Sequence, residues 1–413
     1  GFGFLIPDST EEEDIYLSAE NLHGAMHRDR IMVRLLKNDG KSREGEVVRV
    51  LEHANQTVVG TFEKDRRFGF VVPDDKRIGG DIFIAKDDIN GAKDQYKVVA
   101  EILKWPDKRR NAAGRIKEVL GHKDDVGTDI LSIIRQYELP EEFPEKVVRE
   151  AQQIPQAIPE EEIRRRKDLR NMRTVTIDGP DAKDLDDAVS VELLDNGNFL
   201  LGVHIADVSY YVRRNSELDR EAYTRGTSVY LVDRVIPMLP RELSNGICSL
   251  NPKEDRLTLS VLMEIDHRGK VVDHRIEESV IRSSERMVYE DVTKILEQND
   301  PELMERYHPL INDFRNMETL SRILRKKRIR RGSIDFDLDE TKVILNEKGK
   351  PIDVRPYERS ISNRIIEEFM LVCNETVAEY MTWNEVPFLY RIHEDPTAEK
   401  LEEFNELIHN FGY

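Results

Sequence analysis

Cysteine and long apolar runs are scarce in this sequence of 413 residues. Its two cysteines, Cys248 and Cys373, form no CxxC or Cys/His pattern, so a zinc site of that kind is excluded. Two isolated thiols in so long a chain are typical of a reducing compartment, and we therefore expect a cytoplasmic location. No apolar run reaches the roughly 18 residues of a membrane helix, and no signal segment opens the sequence, so we expect no membrane partner.

Basic residues are also fewer than acidic ones. The sequence has 63 Lys and Arg against 81 Asp and Glu, and its formal net charge is −18. Phosphate contacts need Lys and Arg, so this balance argues mildly against a nucleic-acid partner. Binding depends on where the charges lie, however, rather than on their sum. A carboxylate cluster that holds metal ions also makes the count more negative than the charge of the loaded protein.

An internal repeat fills the first 120 or so residues of the sequence. The matched segments are Phe2–Asp8 with Phe68–Asp74, Asp14–Leu17 with Asp81–Ile84, and Gly45–Leu51 with Gly114–Leu120. Each copy alternates aromatic and β-branched residues with polar ones over short stretches that Gly, Asp and Asn separate. This pattern predicts two copies of a small β-barrel or sandwich.

The second copy has an aromatic pattern with two interpretations. Period 2 places the rings of Phe68 and Phe70 on one face of a strand, where Phe83 from the next strand can join them. The basic stretch Lys64–Arg67 lies just before them. Aromatic rings beside basic side chains bind single-stranded nucleic acid by stacking on its bases. An isolated Phe-Gly-Phe triplet would more often fill a barrel core, and the residues alone leave both interpretations open.

Residues 122–172 differ from the repeats and predict a connector of short helices. Apolar residues recur there at helical spacing between prolines that interrupt the helices. The basic run Arg164–Lys167 within it is either a solvated helix face or a phosphate contact. From about Thr174 onward, strand-like and helical runs alternate, and one long helix is predicted over Leu303–Arg328.

Five aspartates fall within ten residues between Asp178 and Asp187. Gly179 and Pro180 turn the chain after a strand, and another strand follows at Ala188, so the loop gathers carboxylates at strand ends. Like charges this close repel each other unless a cation compensates them. Magnesium prefers oxygen ligands, and a pair of metal ions is the usual device for hydrolysing phosphodiesters.

The aspartate-rich segment has three alternative interpretations. One is an aspartate that takes part in phosphate transfer, but such a residue would not need four acidic neighbours. A solvated acidic loop is the commonest fate of such a stretch, but the apolar strands on both sides fit that poorly. A calcium-binding EF-hand loop is excluded, because the positions that require Gly and Glu are occupied by Lys183 and Val189.

The segment Thr176–Ser190 resembles the signature of the catalytic domain of the ribonuclease II/R (RNB) family. The resemblance continues through His204–Val212, Arg225–Tyr230, Ile236–Pro240, Leu243–Leu250, Arg331–Phe336 and Ile365–Met370. The two repeats resemble the cold-shock type of OB-fold that precedes this catalytic domain, and the ribonuclease R branch fits best. The resemblance covers essentially the whole chain.

The resemblance implies a multidomain fold: two small all-β OB-fold (cold-shock-like) barrels followed by a mixed α/β RNB catalytic domain. We expect the barrels at residues 1–52 and 53–121, the helical connector at 122–172, and part of the catalytic domain at 173–413. The family's C-terminal Ser-Pro-Ile-Arg-Arg-Tyr motif is absent from the sequence. We therefore expect that the chain stops within the catalytic domain and lacks an arginine that stabilises the transition state.

The implied activity is processive 3′→5′ hydrolysis of single-stranded RNA to nucleoside 5′-monophosphates, in RNA decay and quality control. The implied cofactor is Mg²⁺, as one or two ions, with Mn²⁺ as a substitute, and no protein partner is implied. The alternatives are a non-catalytic RNA-binding protein that retains the fold, which the intact aspartate set disfavours, and a metal-dependent DNA nuclease, which the cold-shock pair disfavours.

The resemblance assigns metal binding and catalysis to four aspartates. Asp178 and Asp187 match the residues that hold magnesium, and Asp184 matches a third carboxylate near the metal ions. Asp186 matches the aspartate that the family uses for cleavage rather than for RNA binding, so we assign it to the second metal or to the attacking water. The predicted metal set is thus Asp178, Asp184, Asp186 and Asp187, with Asp184 and Asp186 also catalytic.

Further residues are implied to contact RNA. Tyr230 matches a tyrosine that stacks on the 3′-terminal base, and Phe336 matches the partner ring of that clamp. Glu368 matches a glutamate that contacts a ribose near the 3′ end. The cold-shock resemblance also assigns Phe68, Phe70 and Phe83 to RNA binding.

Two further features remain open between structure and function. His204 on an apolar strand is expected to be a hydrogen-bonded core residue rather than a ligand. The run Arg322–Arg331 has seven basic residues in ten and is either a face that lines an RNA channel or a solvated surface.

Overall fold

The computed structural model describes residues 2–9, 12–38, 43–107, 110–334, 340–357 and 359–412. The chain forms two compact units that are interleaved in sequence. The first comprises Gly1–Pro144, Glu221–Met238 and Asp339–Tyr357, and the second comprises Glu145–Arg220, Leu239–Leu338 and Glu358–Tyr413.

The elements of the N-terminal 170 residues are short strands and then short helices. The strands are β1 (Gly3–Leu5), β2 (Ile15–Leu17), β3 (Arg30–Asn38), β4 (Arg43–Glu52), β5 (Thr57–Lys64), β6 (Phe68–Pro73), β7 (Ile82–Ala85), β8 (Tyr96–Lys104), β9 (Ala113–His122) and β10 (Lys167–Asp168). The helices are α1 (Thr128–Gln136), α2 (Glu145–Gln153) and α3 (Glu160–Arg165).

The remaining residues form both strands and helices, among them the longest of the described elements. The strands are β11 (Val175–Asp178), β12 (Asp187–Leu193), β13 (Phe199–Ala206), β14 (Val229–Tyr230), β15 (Val235–Ile236), β16 (Asp255–Ile265), β17 (Val271–Arg282), β18 (Glu285–Val288), β19 (Glu340–Leu345) and β20 (Pro351–Tyr357). The helices are α4 (Val208–Tyr211), α5 (Glu217–Arg225), α6 (Tyr289–Thr293), α7 (Pro301–Arg306), α8 (Ile311–Arg330), α9 (Ile361–Trp383) and α10 (Ala398–Asn410).

The second repeat is a closed five-stranded barrel with strand order β5-β6-β7-β9-β8. Phe62, Val71, Ile82 and Ile84 are fully buried in its core. A side chain at Gly69 would place its Cβ 2.3 Å from the ring of Phe62, so the middle of the Phe-Gly-Phe triplet must be glycine. The predicted OB-fold-type barrel is confirmed for this repeat.

The first repeat follows the same plan. Its strands pair in the order β1-β2-β4-β3, which matches the order β6-β7-β9-β8 of the second repeat. In both repeats a short 3₁₀ turn follows the second of these strands, at Ala19–Asn21 and at Lys86–Asp88. The internal repeat predicted from the sequence is thus a repeat of structure.

The second unit contains a seven-stranded sheet of order β10-β17-β16-β13-β12-β11-β18. Helices α6, α8 and α9 cover one face, where Val189, Leu201, Phe314 and Phe369 are fully buried in one large core. Most neighbours are antiparallel, but both edge strands pair parallel, β18 with β11 and β10 with β17. This is the mixed α/β fold that the sequence predicts for the part of the chain after the repeats.

The single helix predicted over Leu303–Arg328 is wrong. The structure has α7, a 3₁₀ turn at His308–Leu310, and then α8. Pro309 has no N–H to donate and its ring collides with the preceding helical turn, so α7 cannot continue through it. Nowhere in the described parts of the chain is a helix both long and apolar enough to span a membrane.

Candidate active site

The aspartate loop, residues 178–187, joins two neighbouring strands of the seven-stranded sheet. Asp178 is the last residue of β11 and Asp187 is the first residue of β12. These strands pair antiparallel, with Val175 opposite Val189, so the end of one lies beside the start of the other. The loop therefore brings its carboxylates to one edge of the sheet, as the sequence predicts.

Buried contacts fix the middle of the loop. Leu185 is 1% exposed and packs into an apolar cluster. The Ser249 hydroxyl donates to the carbonyl of Lys183 (2.9 Å) and accepts from the N–H of Leu185 (3.1 Å), and the N–H of Leu250 donates to the carbonyl of Leu185 (2.9 Å). With Leu185 anchored inward, Asp186 beside it is exposed to solvent.

Three of the four carboxyl groups have raised pKa values. Burial, then the charge of Asp187, raises the pKa of Asp178 to about 7. Although part of Asp186 is accessible to solvent, surrounding protein atoms and then Asp184 and Asp187 raise its pKa to about 6. Burial also raises the pKa of Asp187. The four side chains therefore interact as one cluster, while Asp181 is an exposed loop residue.

The oxygens of this cluster fit a hard divalent cation. Oδ2 of Asp178 is buried and has no hydrogen-bond partner among the described residues. Within those same residues, no three carboxylate, imidazole or thiolate groups converge as a preformed metal site. Magnesium does not require one, because it commonly takes one or two protein carboxylates and completes its shell with water and substrate phosphate.

Arg286 is a residue that the sequence analysis missed. It lies on β18 opposite Thr176 of β11. Its Nη2 donates to the carbonyls of Ala182 (2.7 Å), Pro180 (2.9 Å) and, more weakly, Gly179 (3.4 Å). No local sequence pattern marks this contact, because more than 100 residues separate the arginine from the loop.

His204 is a core residue, as expected. It is completely buried, and its ring nitrogens contact the hydroxyls of Ser260 (2.7 Å) and Ser190 (3.2 Å). Burial lowers the pKa of the imidazole to about 4, which keeps it neutral. His204 therefore belongs to the hydrogen-bonded interior of the sheet and not to the aspartate loop.

The aromatic residues of the second repeat form a surface cluster. The rings of Phe68, Phe70 and Phe83 lie with their centroids 5.6–5.9 Å apart. None of them is buried, and the basic residues Arg66 and Arg67 beside them are exposed. Core packing is therefore excluded for these rings, and RNA binding by them stays a prediction.

The first repeat carries a matching cluster, which the sequence analysis did not assign. Phe2, Phe4 and Tyr16 lie with their centroids 5.7–5.9 Å apart, and all three are exposed. They occupy the repeat positions of Phe68, Phe70 and Phe83. The internal repeat was the signal that could have found them.

Tyr230 lies on the two-stranded hairpin of β14 and β15 in the first unit and is 66% exposed. Ile236 of this hairpin is buried against Ile130 and Ile134 of α1. Arg225 holds the hairpin base, because its Nη1 donates to the carbonyl of Pro237 (3.1 Å). The tyrosine is thus a solvent-facing ring on an anchored support.

Glu368 lies in the contact between two helices of the second unit. Glu368 is buried on α9 and forms an ion pair with Arg328 of α8, at 2.7 Å from Nη2 to Oε1. The neighbouring Glu367 is more exposed and also contacts Arg328 (3.2 Å). Phe336 lies outside the described residues.

Both basic runs contribute ion pairs to the second unit. In the run Arg322–Arg331, Arg331 pairs with Glu375 of α9 (2.6 Å), as Arg328 does with Glu368. In the run Arg164–Lys167, Arg166 is buried and pairs with Asp207 (2.7 Å). Part of each run is therefore structural rather than free for phosphate.

Three family models match the chain. The Ribonuclease B OB domain matches residues 1–50, the Cold shock domain matches residues 70–144, and the RNB domain matches residues 166–412.

Curated relatives match over essentially the whole chain. Ribonuclease R of Thermotoga maritima is 49% identical over 412 residues, which are 99% of this chain and 58% of that protein. Ribonuclease R of Escherichia coli is 39% identical over 413 residues, which are 100% of this chain and 51% of that protein. The chain thus spans a little over half the length of these relatives.

Solved structures also match essentially the whole chain. Mycoplasma genitalium RNase R in complex with ribose methylated single-stranded RNA matches with a TM-score of 0.90 at 30% identity, over 99% of this chain and 64% of that one. Yeast Ssd1, a pseudonuclease, matches with a TM-score of 0.71 at 21% identity, over 100% of this chain and 57% of that one, and shares the fold alone. Because the RNB-domain model matches more than half of the sequence and ribonucleases R resemble it over its whole length, the chain belongs to the RNB family of ribonucleases.

Proposed function

We propose that the full-length protein is a processive, magnesium-dependent 3′→5′ exoribonuclease that hydrolyses single-stranded RNA to nucleoside 5′-monophosphates. The observation that carries this proposal is the aspartate loop, where four interacting carboxylates lie at one sheet edge of an RNB-family chain. The orphaned oxygen of Asp178 supports a cation there. The relatives named ribonuclease R and the RNase R complex with single-stranded RNA support RNA as the substrate.

The aspartates divide the chemistry between them. Magnesium, as two ions or with Mn²⁺ as a substitute, would neutralise charge on the scissile phosphate and make a water molecule more acidic. Asp178 and Asp187 are proposed to hold the ions, with Asp184 as a third carboxylate. Asp186 is proposed to bind the second ion, or to orient the attacking water and accept its proton.

The reaction balances as a simple hydrolysis. The water oxygen forms a bond to the phosphorus of the last phosphodiester, and the bond from that phosphorus to the 3′ oxygen of the penultimate nucleotide breaks. The released nucleotide keeps its 5′ phosphate, and the shortened strand ends in a new 3′ hydroxyl. The same step can then repeat on that strand, and degradation is processive when the strand is not released between steps.

Aromatic side chains are proposed to hold the RNA. Exposed rings stack on bases without regard to sequence, and both ring clusters of the repeats have the exposure that this requires. Tyr230 is proposed to stack on the 3′-terminal base. Glu368 receives both bonds from Arg328 on Oε1, so we propose that Oε2 is the oxygen that meets a ribose hydroxyl.

We also propose that this reaction takes place in the cytoplasm, in RNA decay and quality control. Cys248 and Cys373 are both buried free thiols, as a reducing compartment allows.

The alternative is a non-catalytic RNA-binding protein that retains the RNB fold. Yeast Ssd1 shows that a pseudonuclease can have this fold. An abandoned active site is free to lose its carboxylates, however, and here Asp178, Asp184, Asp186 and Asp187 are all present and interact with one another. Catalysis is therefore the stronger proposal.

End-labelled RNA tests the proposal with the full-length protein. With magnesium, a 3′ label is expected to appear at once as mononucleotide, while a 5′ label stays on a strand that shortens to a small end product. EDTA is expected to stop both processes. Persistence of full-length RNA in magnesium would contradict the activity, and early release of the 5′ label would contradict the polarity.

A further inference from the structure

We propose that Arg286 is a positioning residue that shapes the aspartate loop for divalent-cation binding, an inference that rests on the proposed nuclease function. Arg286 is not itself expected to touch metal or RNA. It acts through the backbone of residues 179–182, which leads from Asp178 to the other carboxylates of the loop.

The first support is the convergence of carbonyl groups on one nitrogen. The oxygens of Gly179, Pro180 and Ala182 all lie within 3.4 Å of Nη2 of Arg286. Carbonyl dipoles that point at one place repel each other unless a donor lies between them, and a charged donor stabilises them more than a neutral one. The tight turn after β11 therefore depends on a cation at this position.

The second support is the strand arrangement. Since β18 runs parallel to β11 with Arg286 opposite Thr176, period 2 places Arg286, Thr176 and Asp178 on the same face of the sheet. Ile177 and Met287 point to the opposite face and are buried in the core under the helices. This core fixes the register of the two strands, and hence the place of the guanidinium beside the loop.

The third support is that the position of Arg286 beside the loop is energetically unfavourable for part of its own side chain. Its Nε is buried and has no hydrogen-bond partner among the described residues, which is unfavourable for a polar group. The hydrogen bonds that the guanidinium does form run from Nη2 to the three loop carbonyls, so these backbone contacts are what keep Arg286 beside the loop.

Three variants of the full-length protein test this role. Arg286→Met keeps the length and removes the charge, Arg286→Lys keeps the charge, and Arg286→Ala leaves space for a small cation. Arg275→Met is the matched control, because Arg275 is exposed on β17 and three strands separate β17 from β11. Binding of Mn²⁺ alone, followed by electron paramagnetic resonance without RNA, gives a readout that is independent of turnover.

We expect Arg286→Met to weaken Mn²⁺ binding and to lower kcat by about 10- to 100-fold each, the usual effect of removing a residue that orients metal ligands. KM for RNA should stay at the wild-type value. The Mn²⁺ affinity and kcat of Arg286→Lys should lie between those of the wild type and those of Arg286→Met. Guanidinium ions at non-denaturing concentration should partly restore kcat of Arg286→Ala. The control should match the wild type throughout.

Two results would overturn the inference while leaving the proposed function intact. One is wild-type Mn²⁺ affinity and kcat in Arg286→Met. The other is a lowered melting temperature with equal losses in all three variants and no recovery with guanidinium, which would make Arg286 merely structural. If the wild-type protein itself neither binds Mn²⁺ nor degrades RNA, the proposed function fails and the inference fails with it.

Discussion

Arg328 on α8 donates from both Nη2 (2.7 Å) and Nε (3.2 Å) to a single oxygen, Oε1 of Glu368 on α9. Glu368 is 3% exposed, so this pair lies in the contact between the two helices. Removing one member would leave the other charge partly buried without its partner, which costs more than loss of a surface ion pair. The adjacent Glu367 is more exposed and serves as its natural comparison.

Glu368→Gln is therefore expected to lower the free energy of unfolding by about 2 kcal/mol. Glu367→Gln should lower it by less than about 1 kcal/mol, since solvent screens the exposed pair. Urea unfolding of the two variants measures the difference. Equal losses would show that burial of Glu368 contributes nothing. If Glu368 also contacts a ribose, its variant alone should bind RNA more weakly.

The ring clusters of both repeats are expected to bind RNA. Phe70→Ala should weaken binding of single-stranded RNA by the loss of one stacked base, about 1–3 kcal/mol. Phe4→Ala should have an effect of the same kind, because Phe4 occupies the same position of the first repeat. Fluorescence anisotropy with labelled RNA measures the affinity.

Tyr223→Ala is the control for these variants, since Tyr223 is 89% exposed and belongs to neither ring cluster. It should bind RNA like the wild type. An affinity loss as large in the control as in Phe70→Ala would mean that the clusters are not specific stacking sites. An unchanged affinity in Phe4→Ala alone would limit RNA binding to the second repeat.

The stability of the metal-free protein should depend on pH through the carboxyl group of Asp178. Its pKa of about 7 in the folded protein exceeds the ordinary 3.8, so the folded state binds more protons than the unfolded state. The contribution of Asp178 to stability is therefore most favourable below about pH 4 and decreases as the pH rises towards 7. Asp178→Asn should remove this decrease, on the order of 1 kcal/mol between pH 5 and 8 after solvent screening.

Urea unfolding in EDTA at the two pH values measures this effect. Asp181→Asn is the control, because Asp181 is exposed and should leave the pH dependence unchanged. A pH dependence in Asp178→Asn identical to that of the wild type would contradict the raised pKa. Magnesium affinity should increase over the same pH range, because the carboxylate must lose its proton to bind the ion.

The aspartate loop could be predicted because its carboxylates are nearly contiguous and flanked by strands, so local sequence determines that they lie together. The repeat likewise predicts both sheets, and Phe2, Phe4 and Tyr16 stand at the repeat positions of Phe68, Phe70 and Phe83. The long predicted helix failed at Pro309, where the loss of one N–H outweighs an otherwise helical pattern.

The contacts that sequence could not reveal join distant segments. Arg286 meets the aspartate loop only because an edge strand pairs parallel to β11. The basic residues Arg328 and Arg331 meet glutamates about 40 residues further along, on the next helix. A run of basic residues looks the same in the sequence whether its arginines form ion pairs with distant glutamates or face RNA. The sequence alone therefore does not distinguish the two arrangements.

Asp186→Asn in the full-length protein is the variant that tests the proposed active site most sharply. We expect it to bind labelled single-stranded RNA with wild-type affinity, while its cleavage rate in magnesium falls by about 10²- to 10⁴-fold, the usual contribution of a general base. Cleavage at the wild-type rate, or loss of RNA binding together with loss of cleavage, would contradict the role assigned to Asp186.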